Sequence, residues 1–308
     1  MKRKRINLPL VYAPAIVVSA AMLAALALAQ NTNVKTNTKI LYHNGGVMTG
    51  SSNVYLIWYG NWSSGRPGNN SGTQGILTDL VSSLGGSPYF LINTTYPDLN
   101  GMSPSGSLLY AGSTGDMYSR GLALTESDIQ GIIDDKINAG ALPLDPLGIY
   151  FVIASSDVTD IHPDGTSFCY PPLSAPRHGT FVTTGPTYGG QLVKYAFIGN
   201  PMRCPSSTGP QFNGGAFQSP NGDFAADVMA STIAHLISVV ITDPVGNAWF
   251  DRYGLENAAK CQGTFGQTYT TANGAQANIH LGQRDYLIQQ NWVNVKPKGY
   301  CGLSLPRQ

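Results

Sequence analysis

A long apolar stretch, residues 223 to 242, constrains the fold of this chain more than any other feature. Its apolar residues recur at helical spacing, and after Met229 they cover nearly every face of the predicted helix. Pro244, which cannot continue a helix, follows the stretch. Because a helix that is apolar all round has to be buried, the rest of the chain must supply layers that cover it.

Shorter patterns predict those layers. Four segments have the apolar, β-branched and aromatic residues of strands, and the last two predict a hairpin: 54–59, 148–154, 179–184 and 194–199. Three segments have helical spacing: 75–84, 126–138 with Thr125 as N-cap, and 283–290. Since helices and strands alternate, we expect a single loop-rich α/β domain with a mixed central sheet and the long helix buried against it.

Composition and charge exclude two classes of protein. The chain has 308 residues, of which 42% are hydrophobic and 10% aromatic, so it can build a core and is not disordered. Only 11% of its residues are charged. Four of the 18 basic residues and none of the 17 acidic residues precede Gln30, so residues 30–308 carry a net charge of −3. A nucleic-acid partner is not expected, because it requires clustered Lys and Arg.

The first 29 residues have the composition of an export signal. A basic block, Lys2 to Arg5, precedes an uncharged stretch that ends in Ala27-Leu28-Ala29, which predicts cleavage before Gln30. An uncleaved membrane anchor is the alternative, since about 20 apolar residues can span a bilayer. Both interpretations place residues 30–308 outside the cytoplasm. We expect a secreted protein with no membrane span after cleavage.

The cysteines agree with export. The chain has four cysteines and no Cys-x-x-Cys pair: Cys169, Cys204, Cys261 and Cys301. An even number in an exported chain predicts two disulfides, with three possible connectivities. We favour Cys169–Cys204 and Cys261–Cys301, because each pair closes a loop-rich segment of the C-terminal part.

His235, on the long helix, is the best candidate for chemistry. A zinc-peptidase helix needs a second ligand one turn after the first and a glutamate beside the first ligand. Leu236 and Val239 occupy those positions, so a structural histidine that bonds a neighbouring loop is favoured. The alternative is an atypical zinc or polar site drawn from four residues: His235, Asp243, Asp251 and Glu256.

Two further groups of residues are candidates for binding. Asp157 follows the second predicted strand, where α/β sheets present ligand loops, and with His178 it forms a secondary polar site. A lectin-like module would place the four tryptophans in one exposed groove, whereas burial would make them part of the core: Trp58, Trp62, Trp249 and Trp292.

Collinear motifs along the chain resemble the EXORDIUM / phosphate-induced protein family. The opening motif is Tyr42-His43-Asn44-Gly45-Gly46, and it is followed by the run Asn53 to Gly60. Later motifs keep the family's order: Ser155-Ser156-Asp157-Val158, Phe168-Cys169, His178-Gly179, Tyr195 to Gly199, Cys204-Pro205 and Gly246-Asn247. The resemblance spans about residues 41 to 301.

The C-terminal third also resembles bacterial secreted relatives with a zinc-peptidase-like signature. In those relatives a His-Glu-x-x-Glu helix leads into Thr-Asp-Pro and then into a Glu-Asn-x-Asp-Lys-Cys segment. This chain keeps His235, Thr242-Asp243-Pro244, Glu256-Asn257 and Lys260-Cys261, and Ala259 replaces the aspartate. Leu236 and Val239 replace both helix glutamates. The resemblance implies a metalloprotease-like scaffold whose metal site has been lost.

These resemblances lead to a functional expectation. Plant members of the family are associated with the extracellular matrix and have no established catalysis. We expect a secreted pseudoenzyme at the cell envelope or outside it, which binds carbohydrate or protein and needs no cofactor. The alternative is a zinc-dependent hydrolase with an atypical metal site around His235.

Overall fold

Short strands and four helices make up the computed structural model, which describes residues 38–63, 65–66, 68–163, 165, 177–203 and 218–306. The helices in this part of the chain are α1 (Ser71–Leu84), α2 (Glu126–Asn138), α3 (Phe224–Thr242) and α4 (Asn257–Lys260). The strands are β1 (Leu41–Tyr42), β2 (Ser52–Tyr59), β3 (Leu108–Asp116), β4 (Ala123–Leu124), β5 (Gly148–Ala154), β6 (Thr159–Asp160), β7 (Arg177–Val182), β8 (Leu192–Ile198), β9 (Trp249–Phe250), β10 (Tyr269–Thr270), β11 (Gln276–Ala277), β12 (Ile279–Leu281), β13 (Arg284–Tyr286), β14 (Asn291–Val293) and β15 (Tyr300–Gly302).

A five-stranded mixed sheet forms the centre of the structure. Its strand order is β3-β2-β5-β8-β7, and only β7 runs antiparallel to its neighbour. Strands β3 and β5 lie on opposite sides of β2, so the chain crosses over β2 between them, and the sheet is doubly wound with its switch point between β2 and β5. The remaining strands form two-stranded pairs, including β1 with β9 and β14 with β15.

Helices cover both faces of the sheet. On one face Leu56 of β2 and Phe151 of β5 belong to the core cluster that holds the apolar residues of α1 and α3. On the other face Ile57 and Val152, the next residues along the same strands, pack with the isoleucines of α2. Successive side chains of a strand point to opposite faces, so strands covered on both faces read as continuous apolar runs.

The predicted α/β class, with a mixed central sheet and a long buried helix, is confirmed. The hairpin of β7 and β8 and the N-cap at Thr125 are also found as predicted. Among the described helices, α3 alone is long and apolar enough to cross a membrane, with a mean hydropathy of 1.8. Since 89% of that stretch is buried inside the protein, α3 is the core helix that its sequence predicts.

One predicted element is wrong and another was missed. Residues 283–290 do not form a helix, because Arg284–Tyr286 pairs with Ile279–Leu281 across a turn at Gly282. Strand β3 lies in a Gly- and Ser-rich stretch without a clear strand pattern. It is an edge strand whose alternate residues are exposed, so its sequence needs no continuous apolar run.

Candidate functional site

A cavity of about 290 Å³ lies beyond the C-terminal end of α3. Its described lining holds two carboxylates and one aromatic ring, together with two glycines: Asp243, Glu256, Phe250, Gly246 and Gly254. We call this space the acidic cavity. It brings together two of the four residues predicted for a site around His235.

Asp243 is held in place by the turn that ends α3. It is the C-cap residue, with an extended φ of −148°, and Pro244 stops the helix after it. Its Oδ1 atom accepts a hydrogen bond of 2.7 Å from the backbone N–H of Ala248. The carboxylate therefore closes the turn that leads into Phe250.

The opening family motif packs against this same turn. The N–H of His43 donates to the carbonyl of Ala248 at 2.7 Å, beside the β1–β9 pairing. The His43 ring stacks on Phe250 with the ring centres 3.7 Å apart. Gly45 lies so close to Asn247 that an added Cβ would meet its backbone at 2.4 Å. Segments about 200 residues apart in the sequence thus pack together around Phe250, which lines the acidic cavity.

Glu256 enters the cavity from the start of α4. It is the N-cap residue of that helix, but its side chain makes no capping hydrogen bond. Instead, its Oε2 atom lies 3.3 Å from Nε2 of His178 on β7. His178 was predicted to form a secondary site with Asp157, and the structure places it beside Glu256.

The electrostatics of Asp243 are unusual for a carboxylate. Burial raises its pKa above the ordinary value and the charge of Glu256 raises it further, while the backbone N–H groups of Ala248 and Asn247 and the nearby His178 act in the opposite direction. Asp243 is 1% exposed, and in the described part of the chain its Oδ2 atom has no hydrogen-bond partner. A buried carboxylate oxygen without a donor is costly, so this atom is suited to a ligand that donates.

His235 is a neutral histidine in the core. Its Nδ1 atom lies 3.0 Å from Nε2 of Gln289. The Oε1 atom of Gln289 accepts from Gly263, so its NH₂ group faces the ring and Nδ1 is the acceptor. Burial lowers the pKa of His235 to about 4, and the nearby His178 adds to this shift. At neutral pH the imidazole carries no charge.

Asp251 belongs to a different cluster. Its Oδ2 atom lies 2.9 Å from Nζ of Lys260, and both side chains are fully buried. The Lys260 ammonium also lies 4.7 Å from the centre of the Trp292 ring. This ion pair ties the turn after β9 to α4. It directs the Asp251 carboxylate toward Lys260.

The predicted metal ligands do not form a recognisable metal site. Within the described ranges, no group of three or more His, Cys, Asp or Glu side chains has an arrangement suited to a metal ion. His235 uses Nδ1 for Gln289, and Asp251 uses its carboxylate for Lys260 and for the backbone of Tyr253.

Asp157 is the other member of the predicted secondary site. It lies beyond the end of β5 and accepts hydrogen bonds from Ser155 at 2.5 Å and Tyr118 at 2.7 Å. Burial acts to raise the pKa of Asp157, but these hydrogen bonds outweigh it and the pKa is lowered. Asp157 and His178 therefore take part in separate clusters.

A polar network that the sequence patterns did not predict lies next to Asp157. Asn69, at the start of the turn before α1, donates to Ser156 at 2.9 Å and accepts from Asn200 at 2.8 Å. These amides join the ends of β5 and β8 to α1. Nothing in the local sequence marks them, because single Asn and Ser residues after strands are common turn formers.

The tryptophans do not line one exposed groove. Trp58, Trp62 and Trp292 are buried, and Trp249 is half-buried. Trp58 packs against Trp62 on the sheet, whereas Trp249 packs against Tyr42 and Tyr96. A lectin site built on a tryptophan groove is therefore wrong for this chain.

The structure contains the Cys261–Cys301 disulfide. Cys169 and Cys204 lie outside the described residues, as does the predicted signal segment, so their pairing and the cleavage site stay predictions.

Comparisons with known proteins identify the family. The model of the phosphate-induced protein 1 conserved region matches residues 40–289. Protein EXORDIUM-like 3 of Arabidopsis thaliana is 29% identical over 296 residues, which cover 85% of this chain and 82% of the relative. Protein EXORDIUM-like 5 of Arabidopsis thaliana is 30% identical over 282 residues, covering 82% and 74%. Protein PHOSPHATE-INDUCED 1 of Nicotiana tabacum is 26% identical over 257 residues, covering 74% of each chain. The resemblance found in the motifs is thus confirmed over most of the chain, and this protein belongs to the EXORDIUM / phosphate-induced protein family.

Proposed function

We propose that this protein acts outside the cytoplasm, or at the cell envelope, as a non-catalytic binding protein whose carbohydrate ligand enters the acidic cavity. The observation that carries the proposal is that Asp243 lines the cavity while its buried Oδ2 atom lacks a hydrogen-bond donor in the described part of the chain. A sugar hydroxyl supplies such a donor. Small-molecule sites commonly combine a concave apolar wall with a few polar groups of this kind.

The cavity's chemistry favours binding over hydrolysis. Its two carboxylates are already engaged, Glu256 with His178 and Asp243 with the N–H of Ala248, and the rest of its described lining contains no serine, threonine, cysteine or lysine to act as a nucleophile. His235, the histidine predicted for chemistry, is held by Gln289 in the core. Leu236 and Val239, which stand where a zinc peptidase has its glutamates, are fully buried. These observations support a binding function in preference to a zinc-peptidase-like site at His235.

Export is supported by independent features. The first 29 residues have the sequence pattern of a cleaved signal, and disulfides such as Cys261–Cys301 persist in oxidising compartments. If the proposal is correct, protein recovered from the medium or the envelope fraction begins at Gln30.

Glycan binding tests the proposal directly. We expect the purified mature protein to bind members of a glycan array, and Asp243→Asn to reduce that binding by at least tenfold. Asp285→Asn is the matched control, because Asp285 is a histidine-paired carboxylate outside the cavity. The control should bind as the wild type does.

Three outcomes would contradict the proposal. The first is a glycan array on which the protein binds no glycan, and the second is normal glycan binding by Asp243→Asn. The third is hydrolysis of peptides by a protein that holds one tightly bound zinc ion, which His235→Ala removes. The last result would establish the zinc hydrolase. Binding of a peptide side chain in place of a sugar, again dependent on Asp243, would assign the cavity to a protein partner.

A further inference from the structure

The acidic cavity has an excess of negative charge. Asp243 and Glu256 both line it, and the described lining contains no lysine or arginine. Of the neighbouring basic groups, His178 contacts Glu256, and Lys260 contacts Asp251 with both side chains fully buried. Of the two lining carboxylates, Glu256 therefore has a basic partner, the His178 imidazole.

The geometry points to a cationic ligand group. We infer that the acidic cavity binds the ammonium group of a small amine, and that an amino sugar is selected over the corresponding neutral sugar. This inference deepens the proposed function and rests on it. The buried Oδ2 atom of Asp243 is the acceptor, and Glu256 supplies the second negative charge.

An ammonium group suits these two carboxylates better than a hydroxyl does. It brings three donors and a positive charge, and charge-assisted hydrogen bonds are about twice as strong as neutral ones. Burial and the charge of Glu256 are the causes that raise the pKa of Asp243, and a bound cation offsets both. A neutral hydroxyl satisfies Oδ2 but leaves the repulsion between the carboxylates unchanged.

The size of the cavity limits the ligand. Its volume of about 290 Å³ is at the lower end of the usual range for small-molecule pockets. The space therefore accommodates one sugar ring or the end of one side chain. Glucosamine and a lysine side chain share the ammonium group, so the experiment has to distinguish these two sources.

The test is a set of ligand titrations on the purified mature protein, followed by ligand-observed NMR at pH 7. The probes are glucosamine, N-acetylglucosamine, glucose, methylamine and Nα-acetyl-lysine amide. We expect glucosamine to bind at least tenfold more tightly than glucose and N-acetylglucosamine, which lack the ammonium group. Methylamine is expected to bind weakly and to compete with glucosamine. Tighter binding of the lysine derivative than of glucosamine would overturn the sugar assignment.

Isosteric variants locate the binding. Asp243→Asn keeps the Oδ1 atom that accepts from Ala248, and Glu256→Gln removes a charge from a side chain that makes no capping bond. Each variant should weaken glucosamine binding by at least tenfold, and Asp285→Asn should leave it unchanged. If Asp243→Asn fails to fold, Glu256→Gln alone decides. Equal loss in the Asp285→Asn control would reveal non-specific attraction to surface charge and overturn the inference.

The result separates this inference from the proposed function. Asp243-dependent binding of neutral and amino sugars with equal affinity would retain the proposed function and overturn the ammonium selectivity. Asp243-dependent binding of methylamine, with a silent glycan array, would retain the ammonium site and overturn the carbohydrate function. No Asp243-dependent binding of any probe would overturn both.

Discussion

Burial shifts the pKa values of side chains around the end of α3, and each of these side chains has a different partner. His235 is neutral because it is buried and bonded to a neutral amide of Gln289. Asp243 has a raised pKa because it is buried and faces Glu256, and Lys260 remains beside Asp251 as an ion pair. Burial is the largest cause of the pKa shift in all three side chains, and the neighbouring partner of each side chain adds to that shift or opposes it.

The pKa of His235 predicts a pH dependence of stability. Its pKa is about 4 in the folded protein and about 6.5 in the unfolded chain, so only the unfolded chain takes up a proton between these values. The free energy of unfolding should therefore fall by about 3 kcal/mol from this group as the pH decreases from 7 to 4. Urea titrations of the wild type and His235→Asn at several pH values measure this difference.

The comparison with His235→Asn isolates one group. The carboxyls of Asp243 and Asp227 have raised pKa values and act in the opposite direction, because they favour the folded state as the pH falls. They are present in both proteins and cancel in the difference. Equal pH slopes for the two proteins would show that folding does not lower the pKa of His235.

At the scale of elements, helix α2 shows how local sequence and packing act together. Thr125 and Asp128 form a reciprocal capping box at its start, which satisfies backbone N–H groups that have no partner inside the helix. Its isoleucines then pack on the second face of the sheet, with Ile129, Ile132 and Ile133 fully buried. The cap fixes where the helix begins, and the apolar stripe fixes which face is buried.

The capping box predicts a measurable loss of stability. Thr125→Ala removes the side-chain acceptor for the N–H of Asp128, so we expect the free energy of unfolding to fall by about 1 kcal/mol. Ser82→Ala is the control, since Ser82 is an exposed residue of α1 that bonds only its own helix. It should change stability by less than about 0.5 kcal/mol. Similar losses in both variants would contradict a role for the cap.

At the scale of the whole molecule, residues far apart in the sequence hold the C-terminal part in place. Tyr96 donates to the carbonyl of Trp292 at 2.6 Å, and Ile40 packs in the same buried cluster as Cys261. Cys261 follows α4 and Cys301 lies in β15, so their disulfide closes a loop with a sequence separation of 40. This loop carries several short strand pairs that bury little apolar area by themselves.

The disulfide should therefore contribute strongly to stability. In the chain-entropy description, replacing both cysteines by alanine lowers the free energy of unfolding by about 4 kcal/mol for a loop of this length. Guanidinium unfolding of the oxidised wild type and the Cys261→Ala/Cys301→Ala variant gives the value. A loss below about 1 kcal/mol would mean that the packing around Trp292 holds this region without the covalent link.

Sequence patterns were sufficient to predict the α/β class, the buried strands β2 and β5, the core helix α3 and the start of α2. These elements follow from local periodicity and from capping residues, which act over a few positions. The family motifs also pointed to the membership that the comparisons established. The helical spacing of residues 283–290 predicted a helix that is not formed, because Arg284–Tyr286 pairs as a strand with Ile279–Leu281.

The contacts between polar groups depend on the fold of the whole chain. Asp243 and Glu256 are 13 positions apart, and His178 and the opening motif that holds His43 come from distant parts of the sequence. Periodicity carries no information about such contacts, because they depend on how strands and turns are placed in space. The sequence named Asp251 as a candidate with equal weight, and the fold turned that carboxylate toward Lys260 instead. In the acidic cavity, folding places Asp243 beside Glu256 and buries it without a donor for its second oxygen from the described part of the chain.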